Sequence, residues 1–199
     1  MASTTLNRAN DATANSGYTS KITFSSWVKR SNPGTANGLF TIKRTDHVSN
    51  SRIRCFLSTS NYIKFHGYDS SSYTDFDVET DAVLKDTNAW YHIVVTFDST
   101  LATANDRVKI WINGEQASFQ TNNTASQNFG LLFSSATKTH IGYANDNSNT
   151  SFNFDGCMAH THFIYDSAYQ ASDFGETDST TGIWKPITSP SVTYGSQGF

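Results

Sequence analysis

Three carboxylates alternate in Asp75-Phe76-Asp77-Val78-Glu79, and period-two geometry places all three on one face of a strand. Carboxylate pairs act as nucleophile and acid/base on glycosidic bonds, but the two groups must stand about 5 Å apart. Positions i and i+4 of a strand meet that spacing only through a bend or bulge. The simpler reading of these residues is a solvated acidic strand face. His160-Thr161-His162 sets two imidazoles on one strand face, a spacing that metal sites use. A transition metal needs a third and fourth ligand, and only His92, His140 or distant acids remain. A half-exposed polar sheet face, or a stacking and hydrogen-bonding role in a glycan groove, needs no metal. Asn145-Asp146-Asn147-Ser148-Asn149 has the composition of a calcium loop. An EF-type loop requires Gly at its sixth position and Glu at its twelfth, and counted from Asn145 these are Thr150 and Gly156. An Asx-turn-rich loop is therefore expected, and Asn145, Asp146 and Asn147 are the residues whose composition would suit Ca²⁺. No other cofactor is expected. The chain shows no Ser/His/Asp nucleophile context, phosphate-binding glycine loop or C-x-x-C.

Strands must position these groups. Over Lys21 to Lys29, Ile22, Phe24, Ser26 and Val28 face one way while Thr23, Ser25 and Trp27 face the other. Turn chemistry in Ser31-Asn32-Pro33-Gly34 ends that segment. Further strands are predicted over 38–44, 51–58, 62–68, 74–80, 90–98, 108–113, 139–144 and 152–165. In the 90–98 segment, Trp90, His92 and Val94 share one face and Tyr91, Ile93 and Val95 the other. Both faces are thus covered, as in the central strand of a sandwich. Asn113-Gly114 is the strongest hairpin signal, because a type I′ turn needs two residues that tolerate φ > 0. Gly142 and Gly156 fall within strands, where glycine marks bulges or close packing. A short helical turn capped by Ser172 is expected at 172–174. Residues 1–20 read as a polar arm or a late-docking first strand, and 21–199 as one domain. Short strands punctuated by turns, without a 3.6-residue apolar period, predict an all-β sandwich of two antiparallel sheets.

Composition agrees and excludes several functions. The chain has 199 residues, with 14 Phe, 9 Tyr and 4 Trp, and only 16% charged residues. Ser, Thr and Asn number 69, a third of the sequence. A net charge of −3 with 14 Lys and Arg supplies no basic stripe for nucleic acid. No apolar run approaches the ~20 residues of a membrane span. The first twenty residues lack the apolar region of a secretory signal. Cys55 and Cys157 are expected to be buried free thiols, and no oxidising route is implied.

Several segments resemble a known family. Phe24-Ser25-Ser26-Trp27-Val28-Lys29-Arg30 resembles the opening strand of concanavalin A-like, laminin-G/pentraxin-type jelly rolls. Trp90-Tyr91-His92-Ile93-Val94 is similar to their W-x-H strand, and Val108-Lys109-Ile110-Trp111-Ile112-Asn113-Gly114 to the hairpin that follows. Ile141-Gly142 and Phe154-Asp155-Gly156-Cys157-Met158-Ala159 match the closing strands. The tail is similar to laminin-G-like domains in virion appendage proteins of marine tailed bacteriophages. It contains Asp173-Phe174-Gly175-Glu176-Thr177, Gly182-Ile183-Trp184-Lys185-Pro186 and Tyr194-Gly195-Ser196-Gln197-Gly198-Phe199.

The resemblance implies a jelly-roll β-sandwich and a non-enzymatic virion protein of a fibre, tail or capsid decoration, exposed on the particle surface after assembly in host cytoplasm. Its expected partners are host-surface polysaccharide and other virion proteins, and a trimer is one possible assembly. Rings in polar segments, Tyr68, Tyr73 and Tyr143, are the expected glycan contacts, with His160 and His162. An initiating methionine and the short length favour the alternative of a complete decoration protein that contacts capsid or tail subunits without binding sugar. A remoter alternative is a glycoside hydrolase. Glucanases of the superfamily use E-x-D-x-E, and Asp75-x-Asp77-x-Glu79 departs from that pattern at its first position, one methylene short.

Overall fold

The computed structural model describes residues 6–9, 17–44, 52–70, 73–133, 137–145 and 151–199. In chain order the strands are β1 (Leu6–Ala9), β2 (Gly17–Thr19), β3 (Lys21–Arg30), β4 (Asn37–Arg44), β5 (Arg52–Leu57) and β6 (Ile63–Ser70). Then come β7 (Tyr73–Thr80), β8 (Tyr91–Asp98), β9 (Val108–Ile112), β10 (Glu115–Gln116), β11 (Phe119–Asn123) and β12 (Leu131–Phe133). The last six are β13 (Thr137–Ile141), β14 (Tyr143–Asn145), β15 (Ser151–Asn153), β16 (Gly156–Tyr165), β17 (Gly175–Thr177) and β18 (Trp184–Pro186). Two antiparallel sheets dominate. One has seven strands in the order β1-β13-β4-β5-β6-β7-β11, the other five in the order β10-β9-β8-β3-β16. This is the sandwich of two antiparallel sheets expected from the alternation, and the jelly roll that the resemblance implied.

The alternation also chooses the core. Ile22, Phe24 and Val28 of β3 point inward with Ile93, Val95 and Phe97 of β8, against Phe40, Phe65, Phe76 and Val78 of the larger sheet. Phenylalanine rings bridge the sheets at centroid distances of 4.8 Å for Phe24–Phe40, 5.0 Å for Phe65–Phe76 and 5.4 Å for Phe76–Phe97. Such pairs add about 0.5–1.5 kcal/mol each beyond the burial of their area. Two buried arginines clamp loops to this core. Arg30 donates to Asn61 Oδ1, Leu84 O and Thr35 O, and Arg107 to the carbonyls of Leu101, Ala102 and Ala125.

Among the described residues before Lys21, β1 pairs with β13 at the sheet edge, and β2 with β12. Two details differ from expectation. The helical turn is a 3-10 turn over Ala171–Asp173, capped by Gln170 rather than Ser172, with Asp173 accepting the Gln170 backbone N–H at 2.7 Å. Cys55 is buried as expected, but Cys157, near the start of an edge strand, is exposed; both are free. Asn113 and Gly114 both adopt positive φ, 52° and 88°, in the β9–β10 hairpin as its sequence predicted.

The end of the chain builds a second, smaller core. Residues 169–194 cross the outer face of the five-stranded sheet. There Phe174, Tyr169, Trp184, Val192 and Tyr194 pack on Val94, Trp111 and Ile164. Phe199 then aligns with β16, exchanging both backbone hydrogen bonds with Phe163 at 2.9 Å.

Candidate functional site

The two outer faces of the sandwich differ, and the first to consider is the one the C-terminal segment covers. Here His92, fully buried, lies between Ser25 and Trp184. The Trp184 indole N–H, which can only donate, reaches His92 Nδ1 at 2.9 Å. Nδ1 is therefore the acceptor and Nε2 carries the proton, which it donates to Ser25 Oγ at 2.9 Å. A serine nucleophile needs the opposite tautomer, with Nε2 free to accept the hydroxyl proton. The pair is a structural hydrogen bond with no general-base role. Burial, with His162 and His160 nearby, pushes the His92 pKa down to about 4. The flanking Trp27 and Trp184 rings stack on it at 5.1 and 6.0 Å.

His160 and His162 belong to this covered side. A register shift between Ala159 and His162, with His160 at φ 46°, interrupts the alternation expected of them. His160 stays exposed, while Thr161 turns its hydroxyl to Ser26 at 2.8 Å. His162 bonds the Tyr194 hydroxyl at 2.7 Å, between the Phe174 and Tyr194 rings. Among the described residues no group of three His, Cys, Asp or Glu side chains could hold a metal ion.

The outer face of the seven-stranded sheet has a different chemistry. Because residues directly opposite on neighbouring strands share a face, register alone assembles rows across it. One row runs His140–Thr41–Arg54–His66–Asp77 over β13, β4, β5, β6 and β7. Beside it run Lys138–Lys43–Arg52–Tyr68 and, on the other flank, Phe56–Lys64–Glu79. Five of the chain's 14 Lys and Arg thus stand on one face: Lys43, Arg52, Arg54, Lys64 and Lys138.

Aromatic rings and a histidine hold the two arginines of this face. The Arg52 guanidinium lies over the Tyr68 ring at 4.8 Å, and that of Arg54 over Phe56 at 5.1 Å and Phe152 at 5.7 Å. Arg54 Nε–H donates to His66 Nε2, which leaves the His66 proton on Nδ1, 4.0 Å from Asp77 Oδ1. Burial first, then Arg54, Lys64 and Arg52, drive the His66 pKa down to about 2, so the ring is neutral. Lys64 Nζ reaches Asp77 at 3.1 Å and Glu79 at 3.6 Å. The acidic strand is therefore half-buried and ion-paired rather than simply solvated.

A wall rises on the far side, where the β14–β15 hairpin lies across β4. Thr41 donates its hydroxyl to the Tyr143 carbonyl at 3.0 Å. Gly38 is required beneath, since a Cβ there would stand 2.2 Å from the Ala144 nitrogen. Phe152 packs on Phe56 at 5.5 Å and Tyr143 on His140 at 5.2 Å. The result is a cationic and aromatic face with the hairpin on one side and the carboxylates of β7 on the other; Arg52, Arg54, Phe56 and His66 are buried in it, and Tyr68, Tyr143 and Phe152 are half-buried.

This face brings together Tyr68, Tyr143, Asp75, Asp77 and Glu79 among the residues singled out from sequence. Tyr73 begins β7 opposite Ser70, and Asn145 ends β14 opposite Ser151. Asp146 and Asn147 lie outside the described residues. Sequence reasoning missed Lys43, Arg52, Arg54, His66 and Lys138. The available signal was their alternation with apolar residues in Arg52-Ile53-Arg54-Cys55 and Lys64-Phe65-His66, which already placed them on one face. Grooves elsewhere among the described residues include one of about 550 Å³ beside Val83, Tyr91 and Glu115 and one of about 360 Å³ beside Phe154, Met158 and Phe199.

The fold is a jelly-roll sandwich whose outer faces differ, the five-stranded sheet being covered by the C-terminal segment. The chain belongs to the concanavalin A-like lectin/glucanases superfamily, whose laminin-G-type family model matches residues 4–173. No curated protein matches the sequence significantly. Solved structures share the fold. The CBM40 of the Ruminococcus gnavus IT-sialidase, bound to α2,3 sialyllactose, superposes with a TM-score of 0.55 at 12% identity, over 83% of this chain and 94% of its own. The native heptameric SAP-like pentraxin of Limulus polyphemus gives 0.54 at 11% identity, over 83% and 71%. The LG1–3 region of the laminin α2 chain gives 0.54 at 14% identity; the match covers 84% of this chain and 31% of that larger one.

Proposed function

We propose that this chain is a non-enzymatic glycan-binding protein of a bacteriophage virion, carried on a fibre, tail or capsid and used to adhere to host-surface polysaccharide. One observation carries the binding reading. The outer face of the seven-stranded sheet sets the half-buried rings of Tyr68, Tyr143 and Phe152 beside a row of polar side chains. The C-terminal segment closes the opposite sheet face. Sugar recognition combines flat rings for the apolar ring faces with polar groups for the hydroxyls. The superfamily and the carbohydrate-bound CBM40 neighbour support the same class of ligand. The virion assignment rests on the tail segments from Asp173 to Phe199.

The non-enzymatic part follows from Lys64. It engages Asp77 and Glu79, the second and third carboxylates of the Asp75-x-Asp77-x-Glu79 pattern, which disfavours a hydrolytic role for that strand. Asp77→Asn and Glu79→Gln are expected to change no hydrolytic activity on laminarin-type glucans, measured by reducing-end release. Measurable hydrolysis lost in either variant refutes this reading.

The binding test is a glycan array probed with the full chain and with Tyr68→Ala. Binding to specific glycans, weakened at least tenfold in the variant, is the expected result; ring stacking of about 1–2 kcal/mol corresponds to that factor. A blank array overturns the adhesion reading in favour of an assembly protein that contacts only its neighbours.

A further inference from the structure

We infer that a pocket of about 180 Å³, where the C-terminal cover meets β9 and β10, binds a single neutral sugar residue with the Trp111 indole N–H as donor. The site lies on the five-stranded sheet, opposite the face assigned above, and stands apart from that reading.

Register builds the floor of this pocket. Lys109 of β9 is directly opposite Thr96 of β8, and Trp111 is directly opposite both Val94 of β8 and Gln116 of β10. Residues so paired share a face, and Val94 and Trp111 mark it as the outer one that the C-terminal segment crosses. Residues 168–170 of that segment form one wall, and the loop after β8, with Leu101 and Asp106, forms the other. Both walls are held by bonds of their own. Thr96 donates its hydroxyl to the Tyr169 carbonyl at 2.5 Å, and Tyr169 N–H donates to the Thr23 hydroxyl at 2.9 Å. Arg107 donates to the carbonyls of Leu101 and Ala102 at 2.8 and 2.9 Å. A site already held in shape loses little ordering entropy on binding.

Trp111 supplies the observation that points to a ligand. A buried indole N–H usually has an acceptor, as Trp184 has His92. Trp111 is only 7% exposed, yet among the described residues its Nε1–H meets no acceptor, and it is not sealed from solvent. A ligand oxygen in the pocket completes that bond. The exposed Gln116 side chain, on the same row, also makes no hydrogen bond to a described residue. Its amide offers both donors and an acceptor.

Charge and size decide the ligand class. Asp98 is held by Lys21 at 3.1 Å and by the Thr100 hydroxyl at 2.5 Å, and Asp106 by Lys109 at 3.3 Å. Each carboxylate of the pocket has a cation of its own, so an ion gains little by entering. Donors and acceptors beside Leu101 and an indole suit a neutral polyol with an apolar ring face. The volume falls below the ~300–1,000 Å³ of pockets for drug-sized ligands, which limits the occupant to one sugar ring.

Nitrogen–proton correlation NMR of the full chain tests the site, because each indole N–H gives its own cross-peak and Trp111→Phe identifies that of Trp111. Methyl glucoside, methyl galactoside, methyl mannoside and methyl N-acetylglucosaminide are the neutral probes, with methyl glucuronoside as the charged one and glycerol as the non-cyclic one. At least one neutral glycoside should move the Trp111 cross-peak saturably, with a dissociation constant of about 1–10 mM for so small a ligand. Gln116→Ala should weaken that binding about threefold or more, the factor for one hydrogen bond. Its melting temperature should stay unchanged, because Gln116 is exposed. Tyr68→Ala, on the other sheet, should leave the binding as it was.

No saturable shift of the Trp111 cross-peak with any neutral glycoside overturns the site, whatever the glycan array shows for the opposite face. A shift that glycerol matches, tighter binding of the glucuronoside, or undiminished affinity in Gln116→Ala overturns it as well. Loss of the shift in Tyr68→Ala assigns the ligand to the seven-stranded sheet and has the same consequence.

Discussion

Trp184 and Ser25 fix His92 from both sides, and that geometry sets how the molecule responds to acid. The folded-state pKa of His92 lies near 4, against an ordinary 6.5. Above pH 6.5 the ring is neutral folded or unfolded, and the stabilisation is complete. As the pH falls through 6.5 the unfolded chain takes up a proton that the folded one refuses, so stability is lost progressively down to about pH 4. The loss attributable to this group is of the order of 2–3 kcal/mol. Urea denaturation at pH 7 and pH 4.5 should show it, and His92→Gln should flatten the difference. An equally steep pH dependence in the variant would sink the assignment. None of this was legible in the sequence beyond the W-x-H strand, because Trp184 is 92 residues from His92. Asp75, Asp77 and Glu79 were legible as a shared strand face, but Lys64, the partner of Asp77 and Glu79 across the sheet, became visible only with the register.

At the scale of single elements, the β14–β15 hairpin shows how one residue governs the wall beside the cationic face. It lies on β4 because Gly38 leaves the space, with a hypothetical Cβ 2.5 Å from the Phe152 carbonyl oxygen. Gly38→Ala must therefore lift the hairpin or distort β4. The expected cost is about 1–3 kcal/mol, together with weaker glycan binding as Tyr143 moves away. Thermal melts and the glycan array read the two effects, and an unchanged melt would show that the hairpin tolerates displacement.

Elements with strong alternation were foreseen. β3, β8 and β9 alternate core residues such as Ile22, Phe24 and Val28 with polar or outward-facing ones, and burial of one face enforces their register. Elements without that signal were not. β11 reads Phe-Gln-Thr-Asn-Asn and is held at the edge of the sheet by pairing with β7, which no local pattern encodes.

Across the whole molecule, the C-terminal segment completes what the family-matched region leaves unfinished. The match ends at residue 173, yet Phe174, Trp184, Val192 and Tyr194 beyond it cover Val94, Trp111 and Ile164. A chain ending at Asp173 is expected to expose this apolar sheet face, bind the dye ANS and lose its sharp thermal transition. A soluble, cooperatively melting truncation would show that the smaller sheet stands alone. The all-β sandwich was visible in composition and turn spacing. The closing of one face was not, since residues 166–199 carry no periodic pattern and are ordered by what they cover.

Cys157 has a practical consequence of its own. The second thiol, Cys55, is buried in the core, which raises its pKa and makes it inert. The native chain therefore offers one addressable sulfur, on the five-stranded sheet rather than the one bearing the cationic face. One equivalent of maleimide should react with the folded protein and two with the denatured one. A fluorophore or surface tether placed there leaves the cationic rows facing away from the support.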